Sequence, residues 1–383
     1  MKKTLCTGLV LSWVISGAAW AADEPVAEPA LEPAVKSEPA AIAEPDLAPT
    51  AKSKPASVPA AKSGHDIYGY THLHHGHSQG MWMFEYRYMR MNMDGLLDGT
   101  KKVRAQDISE TDMTGSSPTV GKKYMMAPTD MTMDMHMFMG MYDVTSRFTV
   151  MGMLNYLKSE MDMVMYMDMN MDGTSEPMSG MLPMKSSGLG DTILSAAYQV
   201  RDPLSVGLGI SIPTGSIDQK GRMMASDPET QLPYTMQLGS GTYDLIPTLT
   251  YNANAGSFNW GGQGTIIYRI GENDNGYRFG HRAEMSGWLK YAFASHAVAT
   301  SRLTYTMWGN VDGQDLAVDP MMSPDSDPNA QGGIRTDLFL GMSAFKNGWI
   351  FSGEFGVPLY QDLNGPQLKT ISIFQLGVSY MVM

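Results

Sequence analysis

The sequence contains almost no cysteine: the one residue of this type among 383, Cys6, lies close to the start of the chain. Residues 1–21 have the pattern of a secretory signal peptide, in which Lys2 and Lys3 precede an apolar run and Ala19-Trp20-Ala21 supplies small residues for cleavage. Cleavage after Ala21 leaves no cysteine. This excludes disulfides, thiolate metal sites and cysteine nucleophiles from the mature protein.

Further absences limit the class of protein. Beyond the signal, no run of about 18 uncharged apolar residues occurs, so the sequence predicts no transmembrane helix. Basic residues are scattered and the formal charge is −12, which argues against a nucleic-acid partner. Phosphate-binding glycine loops, Gly-x-Ser-x-Gly turns and zinc-protease helix motifs are also missing, so we expect no enzymatic activity.

The character of the chain changes twice along its length. Residues 22–64 consist almost entirely of Ala, Pro, Glu, Lys, Ser and Val, a composition that predicts a disordered periplasmic spacer. Residues 65–80 form a histidine-rich periplasmic segment. From residue 81 to 383, apolar and polar residues alternate with a period of two, most clearly in 204–212 and 374–382.

This alternation predicts an all-β fold, a transmembrane antiparallel up-and-down β-barrel of about 12 strands over residues 81–383. Short connections follow every second predicted strand and long ones follow the others. That is the arrangement of outer-membrane barrels whose termini are both periplasmic. A soluble β-sandwich is the alternative, but apolar faces on nearly every strand would then need a second sheet to cover them. We therefore predict a bacterial outer-membrane protein with a periplasmic N-terminus and with lipid as a partner.

The end of the chain indicates a further partner. The pattern Gln375-x-Gly377-x-x-Tyr380-x-Val382 resembles the C-terminal strand signal that barrel-assembly machinery reads, although one more residue, Met383, follows it. The remaining expected partner is a small solute or a metal ion.

Four motifs resemble those of a large family of outer-membrane proteins named for a role in the meta-pathway of phenol degradation and often labelled transporters. The motifs are Ser187-Gly-Leu-Gly-Asp-Thr192, Ile212-Pro-Thr-Gly215, Leu238-Gly-Ser-Gly-Thr-Tyr-Asp-Leu245 and Tyr268-Arg-Ile-Gly-Glu-Asn-Asp-Asn-Gly-Tyr277. The resemblance covers roughly residues 187–300 and implies a barrel with a transport role. It assigns no catalytic residues, and this chain would be a Met/His-rich variant.

Methionine is the most unusual feature of the composition, with 36 residues. In a strand, alternate residues share one face, and Met83 and Met89 share theirs with Glu85 and Arg87. Because charges at membrane depth belong in the lumen, we expect the methionines of this strand to line the interior. In the next strand, Asp134 and His136 lie on the face that does not carry the methionines. Polar residues on that face leave the orientation of the methionines undecided.

Thioether sulfur is a soft, neutral ligand that suits Cu(I), so the pattern predicts copper binding, with several thioethers in line passing an ion between weak sites. The candidate methionines are Met131, Met133, Met135, Met137, Met139, Met151, Met153, Met161, Met163, Met165 and Met167. The alternative is that methionine serves only as a flexible apolar filler. His72, His74, His75 and His77 lie close enough to share a metal ion before the first strand, the alternative being a solvated linker.

Ten charged residues fall at positions predicted to face the interior, where we expect them to pair across the lumen and set its selectivity. They are Glu85, Arg87, Asp191, Asp244, Arg269, Arg282, Glu284, Lys290, Arg302 and Glu354.

Three functions remain open. The first is an outer-membrane channel or binding protein for copper, in which bound copper is the expected metal and no cofactor is required. The second is a channel for small apolar or aromatic compounds without metal specificity. The third is a non-transporting structural barrel.

Overall fold

The computed structural model describes residues 79–111, 117–119, 121–167 and 175–382, and the structural statements concern these residues. The predicted signal peptide (1–21), the spacer (22–64) and His72, His74, His75 and His77 of the histidine-rich segment lie outside the described residues.

Strands make up most of the described chain. They are β1 (Trp82–Gly99), β2 (Lys101–Val103), β3 (Met126–Thr145), β4 (Phe148–Met167), β5 (Glu176–Pro177), β6 (Met184–Leu189), β7 (Thr192–Arg201), β8 (Leu204–Ile212), β9 (Lys220–Gly221), β10 (Thr230–Gln231), β11 (Tyr243–Ala255), β12 (Phe258–Ile270), β13 (Tyr277–Arg278), β14 (Arg282–Ala294), β15 (Ala297–Trp308), β16 (Asp312–Gly313), β17 (Gly333–Lys346) and β18 (Trp349–Val382). Helical residues occur in α1 (Ala105–Ile108) and in 3-10 turns at Tyr234–Met236, Pro324–Ser326 and Pro328–Ala330. Within the described ranges, no helix has the length and apolar character needed to cross a membrane.

Eleven strands form one closed antiparallel sheet. Its order is β1-β3-β4-β7-β8-β11-β12-β14-β15-β17-β18, and β18 pairs back onto β1 to close the barrel. β6 extends the wall by pairing with β4. Closure leaves no unpaired edge, which is the condition for a sheet to cross a bilayer. The predicted all-β antiparallel barrel is confirmed.

The last strand passes twice along the barrel wall. Residues 349–363 of β18 pair with β17, and residues 367–382 pair with β1. The two halves lie side by side, as the hydrogen bond from the Met381 amide to the Gly348 carbonyl shows at 3.0 Å. Gly365 has a φ of 86° at the bend, a conformation that favours glycine. The eleven strands therefore make twelve passes, in agreement with the predicted number.

The connections alternate in length as the sequence predicts. Two-residue turns join β3 to β4, β7 to β8, β11 to β12, β14 to β15 and β17 to β18. Long segments join β1 to β3, β4 to β7, β8 to β11, β12 to β14 and β15 to β17. Since neighbouring strands are antiparallel, all the two-residue turns lie at one end of the barrel and the long loops at the other, which we call the outer end.

Side chains alternate between an apolar outer face and a mixed interior. In β3 the neighbours Met137 and Phe138 are 1% and 53% exposed. The outward belt contains large apolar residues from every barrel strand, among them Trp82, Leu154 and Phe351. This is the surface expected of a barrel whose outside contacts lipid. The methionines of β3, whose orientation the sequence left undecided, therefore face the interior.

Candidate functional site

The methionines form rows that run across the strands inside the barrel. In the register of β1, β3 and β4, Met83 lies opposite Met141 and Met141 opposite Met151. Toward the outer end, a second row joins Met93, Met131, Met161 and Met184 on β1, β3, β4 and β6. The alternation along each strand and the register between strands together place thioethers on one continuous part of the inner wall.

The predicted methionines separate into two groups. The central cluster packs Met137, Met139, Met151 and Met153 against apolar side chains from other walls, including Ile246 and Phe339. Met135 packs against its edge. Because β3, β11 and β17 are spaced around the barrel, this cluster joins three sides of the interior. Met137 and Phe339 are 1% and 0% exposed, so side chains of this cluster are shielded from solvent.

The second group lies nearer the outer end and is called the outer methionine cluster. Its buried members are Met126, Met131, Met161, Met163, Met165, Met184, Leu232 and Met236. Met133 packs against them, whereas Met167 is buried outside both clusters. The strands carry the eleven candidate methionines to two different heights in the barrel, and metal binding by them stays a prediction.

Sequence periodicity missed part of the outer methionine cluster. Leu232 and Met236 come from the loop between β8 and β11, which folds inward over the methionine wall. Met236 is fully buried. The only signal in the sequence was the abundance of methionine, because a loop has no repeating face from which its packing could be read.

The outward faces of three strands show where the apolar belt ends. Tyr88, His136 and Tyr156 form one cross-strand row of rings. In the next such row toward the outer end, Arg90 lies opposite Asp134 with their atoms 2.7 Å apart, and Lys158 follows on β4. Charged residues are costly against hydrocarbon. The outer methionine cluster, which is farther out than these rows, therefore lies beyond the apolar belt.

Charged side chains line the interior at the height of the central cluster, where Glu85 lies opposite Met139 and Arg302 opposite Phe339. Glu85 and Arg87 are paired at 2.7 Å on β1, and Arg302 pairs with Glu354. Lys290 is also buried here. We call these five residues the polar layer. The space enclosed by Arg87, Lys290, Glu354 and their neighbours is about 10 Å³, enough for roughly one water molecule.

Several of the predicted interior charges form ion pairs along the barrel wall. The partners lie on the same strand or on strands close together, as for Glu85 with Arg87 and for Arg282 with Glu284 at 3.4 Å. Asp244 and Arg269 pair between adjacent strands at 2.9 Å. Side chains of this length reach a neighbour along the wall more easily than a partner on the opposite side of a barrel of twelve passes.

Asp191 has a different role, because the four sequence motifs meet around it. Its Oδ1 accepts a hydrogen bond from the Gly215 amide at 3.0 Å, and its Oδ2 accepts from the Ser240 amide at 2.8 Å and from Ser240 Oγ at 2.7 Å. Asn273 Nδ2 donates to the Ser240 carbonyl at 3.1 Å. A Cβ atom on Gly215 would lie 2.6 Å from the Cα of Gly239. The motifs thus fix the loop that carries Met236 to the barrel wall.

Ordinary metal-binding residues do not assemble in the described ranges. No group of three or more His, Cys, Asp or Glu side chains there has a geometry that could hold a metal ion. Thioethers belong to a different class of donor. Thioether sulfur suits soft metal ions.

The closed sheet, the apolar belt and the charged interior define an outer-membrane β-barrel. The sequence profile of the family described as "Putative MetA-pathway of phenol degradation" matches residues 113–344. The chain belongs to this family of outer-membrane barrels, as the four motifs indicated. A search of curated proteins gives no match.

Solved structures show similar folds. An outer-membrane channel from Pseudomonas putida F1 aligns with a TM-score of 0.54 at 13% identity, over 83% of this chain and 100% of the other. The toluene transporter TbuX of Ralstonia pickettii aligns with a TM-score of 0.39 at 10% identity, over 80% and 90% of the two chains. The β domain of the Bordetella autotransporter BrkA has a TM-score of 0.43 at 10% identity, over 79% and 100%. The alignment with the Pseudomonas putida channel shows a likeness of fold alone.

Proposed function

We propose that this protein is an outer-membrane channel for small apolar or aromatic solutes, with its two-residue turns and its N-terminus on the periplasmic side. The observation that carries the proposal is the methionine-lined wall. It runs from the outer cluster, beyond the apolar belt, to the central cluster inside the barrel. The phenol-degradation description of the family agrees with a solute of this class.

Methionine is suited to admitting such solutes. Its side chain is unbranched, has three rotatable bonds and makes favourable contacts with aromatic rings. The central cluster is closed to solvent, so a solute passes only when side chains there move aside. Met137 and Met139 can change rotamer at low cost, whereas β-branched residues are stiff at χ1. The central cluster therefore acts as a gate that opens around an apolar guest.

Copper passage is less well supported by the same interior. The polar layer contains three basic residues, Arg87, Lys290 and Arg302, and two acidic ones, Glu85 and Glu354, all partly or fully buried. These three basic side chains repel a cation in a narrow, water-poor space. A neutral solute carrying a ring and one hydroxyl group meets the thioethers of the outer cluster first. It then meets thioethers and hydrogen-bonding side chains together, because Glu85 lies opposite Met139 and Arg87 opposite Met137.

Uptake of a labelled aromatic compound into cells tests the proposal. The initial rate is measured in a host with an intact outer membrane, with and without the protein, using phenol as the solute. We expect faster uptake with the protein, and a loss of most of this gain when Met137 and Met139 are changed together to isoleucine.

The matched control changes Met285 and Met342, which are exposed on the outward face at 65% and 59%, to isoleucine, and should transport normally. Equal uptake with and without the protein would reject the proposal. Normal uptake by the Met137→Ile, Met139→Ile variant would reject the central cluster as the gate.

A further inference from the structure

The outer methionine cluster has a composition that packing alone does not explain. Of its eight buried members, seven are methionine. Among the described residues, methionine accounts for sixteen of the thirty-five buried apolar residues but only four of the forty-five exposed large ones. Leucine, isoleucine, valine and aromatic residues fill the outward face, as strand propensity favours. Methionine is therefore concentrated where sulfur atoms can meet one another.

The register brings several of these sulfur atoms within reach of a common point. Met131 lies opposite Met161, and Met161 lies opposite Met184. Side chains directly opposite one another in an antiparallel pair have Cβ atoms about 5 Å apart. Two metal–sulfur bonds of about 2.3 Å span a similar distance. Adjacent methionines of the row can thus bind one ion without movement of the backbone.

The loop between β8 and β11 supplies a donor from a different direction. Met236 is fully buried in the same cluster as Met131 and Met161. It is brought there by the contacts of Asp191 with Gly215 and Ser240 on either side of the loop. A wall of thioethers with a further thioether above it surrounds a point from more than one side, which a flat row of side chains could not do.

The donors determine the class of ion. Thioether sulfur is soft and uncharged, so it selects Cu(I), and Ag(I) by the same chemistry, over hard cations that need oxygen ligands. A monovalent ion also costs less to remove from water than a divalent one at a site without charged ligands. Beside the cluster, Asp130 and Asp162 lie opposite each other on the outward side of the same two strands. Their negative charge attracts a cation to this end of the barrel.

We propose that the outer methionine cluster is a binding site for a soft monovalent metal ion, Cu(I) or Ag(I), with Met131, Met161 and Met236 as its central ligands. The ion is held at the outer end of the barrel. The site does not depend on which solute crosses the channel, since it lies in a different cluster from the proposed gate.

The first test uses the full chain purified in detergent, with His72, His74, His75 and His77 changed to alanine so that imidazole contributes nothing. Cu(I) is titrated without oxygen against a chromophoric chelator, and Ag(I) serves as a probe that does not change oxidation state. We expect the protein to retain the ion. Changing Met131, Met161 and Met236 to leucine should weaken binding by more than about tenfold, because even residues that only orient a ligand commonly contribute that much.

The control changes three exposed methionines, Met285, Met307 and Met342, to leucine and should bind as before. A second measurement covers the case in which the triple variant does not fold. Selenomethionine is incorporated into the otherwise unchanged protein, and X-ray absorption at the selenium edge should show a metal neighbour at bonding distance after loading. The proposal is overturned if the histidine-free protein retains no ion, if the triple variant binds as tightly as its control, or if selenium shows no metal neighbour.

Discussion

Replacing Asp191 with alanine should release the loop between β8 and β11 from the barrel wall. The carboxylate accepts three hydrogen bonds, from the Gly215 amide at 3.0 Å and from the amide and hydroxyl of Ser240 at 2.8 and 2.7 Å. A hydrogen bond to a charged group contributes about 1.5–3 kcal/mol. Asp191 is only half-buried, so water replaces part of what is lost. We therefore expect the loop to be destabilised by about 3 kcal/mol rather than by the full sum.

Such a change shifts the opening equilibrium of the loop by roughly a hundredfold, because each 1.4 kcal/mol is a factor of ten. Amide hydrogen exchange followed by mass spectrometry measures this directly on the peptides that contain Gly215 and Ser240. Exchange there should accelerate by roughly a hundredfold in the alanine variant, while peptides from β14 and β15 remain protected. An Asp191→Asn variant should fall in between, because its amide keeps one acceptor oxygen.

The matched control is Asp274→Ala, which removes an exposed aspartate from a neighbouring loop and should leave exchange unchanged. Unaltered protection at Gly215 and Ser240 in the Asp191→Ala protein would refute the reasoning. The four motifs would then have to owe their arrangement to backbone contacts alone.

Two other perturbations test separate parts of the structure. Gly215→Ala should lower the yield of folded barrel, because the new Cβ would lie 2.6 Å from the Cα of Gly239. The yield is measured by the heat-dependent gel mobility of the barrel. The control Gly264→Ala should fold normally, because no heavy atom lies within 4 Å of its Cβ position. Burial raises the pKa of Asp325, in the loop between β15 and β17, to about 7, so this loop gains a proton on folding between about pH 4 and 7 and is stabilised as the pH falls through that window. Proteolysis of the loop should therefore increase from pH 5 to pH 8, by a change of about 2.5 kcal/mol in its opening free energy, because about two pH units of the window lie in this range. Asp325→Asn should remove the dependence, and an unchanged pH profile in that variant would contradict the assignment.

Local patterns in the sequence were sufficient for the barrel itself. Alternation with a period of two fixes which residues of a strand share a face, whatever the rest of the chain does. The charges at Glu85 and Arg87 identified the inward face of β1, since charge is excluded from lipid. The alternating lengths of the connections then indicated the number of passes and the end at which the loops lie. The chemistry of thioethers likewise made methionine a candidate ligand before any contact was known.

Tertiary structure decided which of these inward residues meet. The register between strands places Met131, Met161 and Met184 in one row, and the inward fold of a loop brings Met236 to them. Closure of the sheet divides the methionines between two heights and pairs the charges along the wall. Periodicity carries no information about these contacts, because they join residues far apart in the chain whose distances depend on how neighbouring strands align and how the barrel closes.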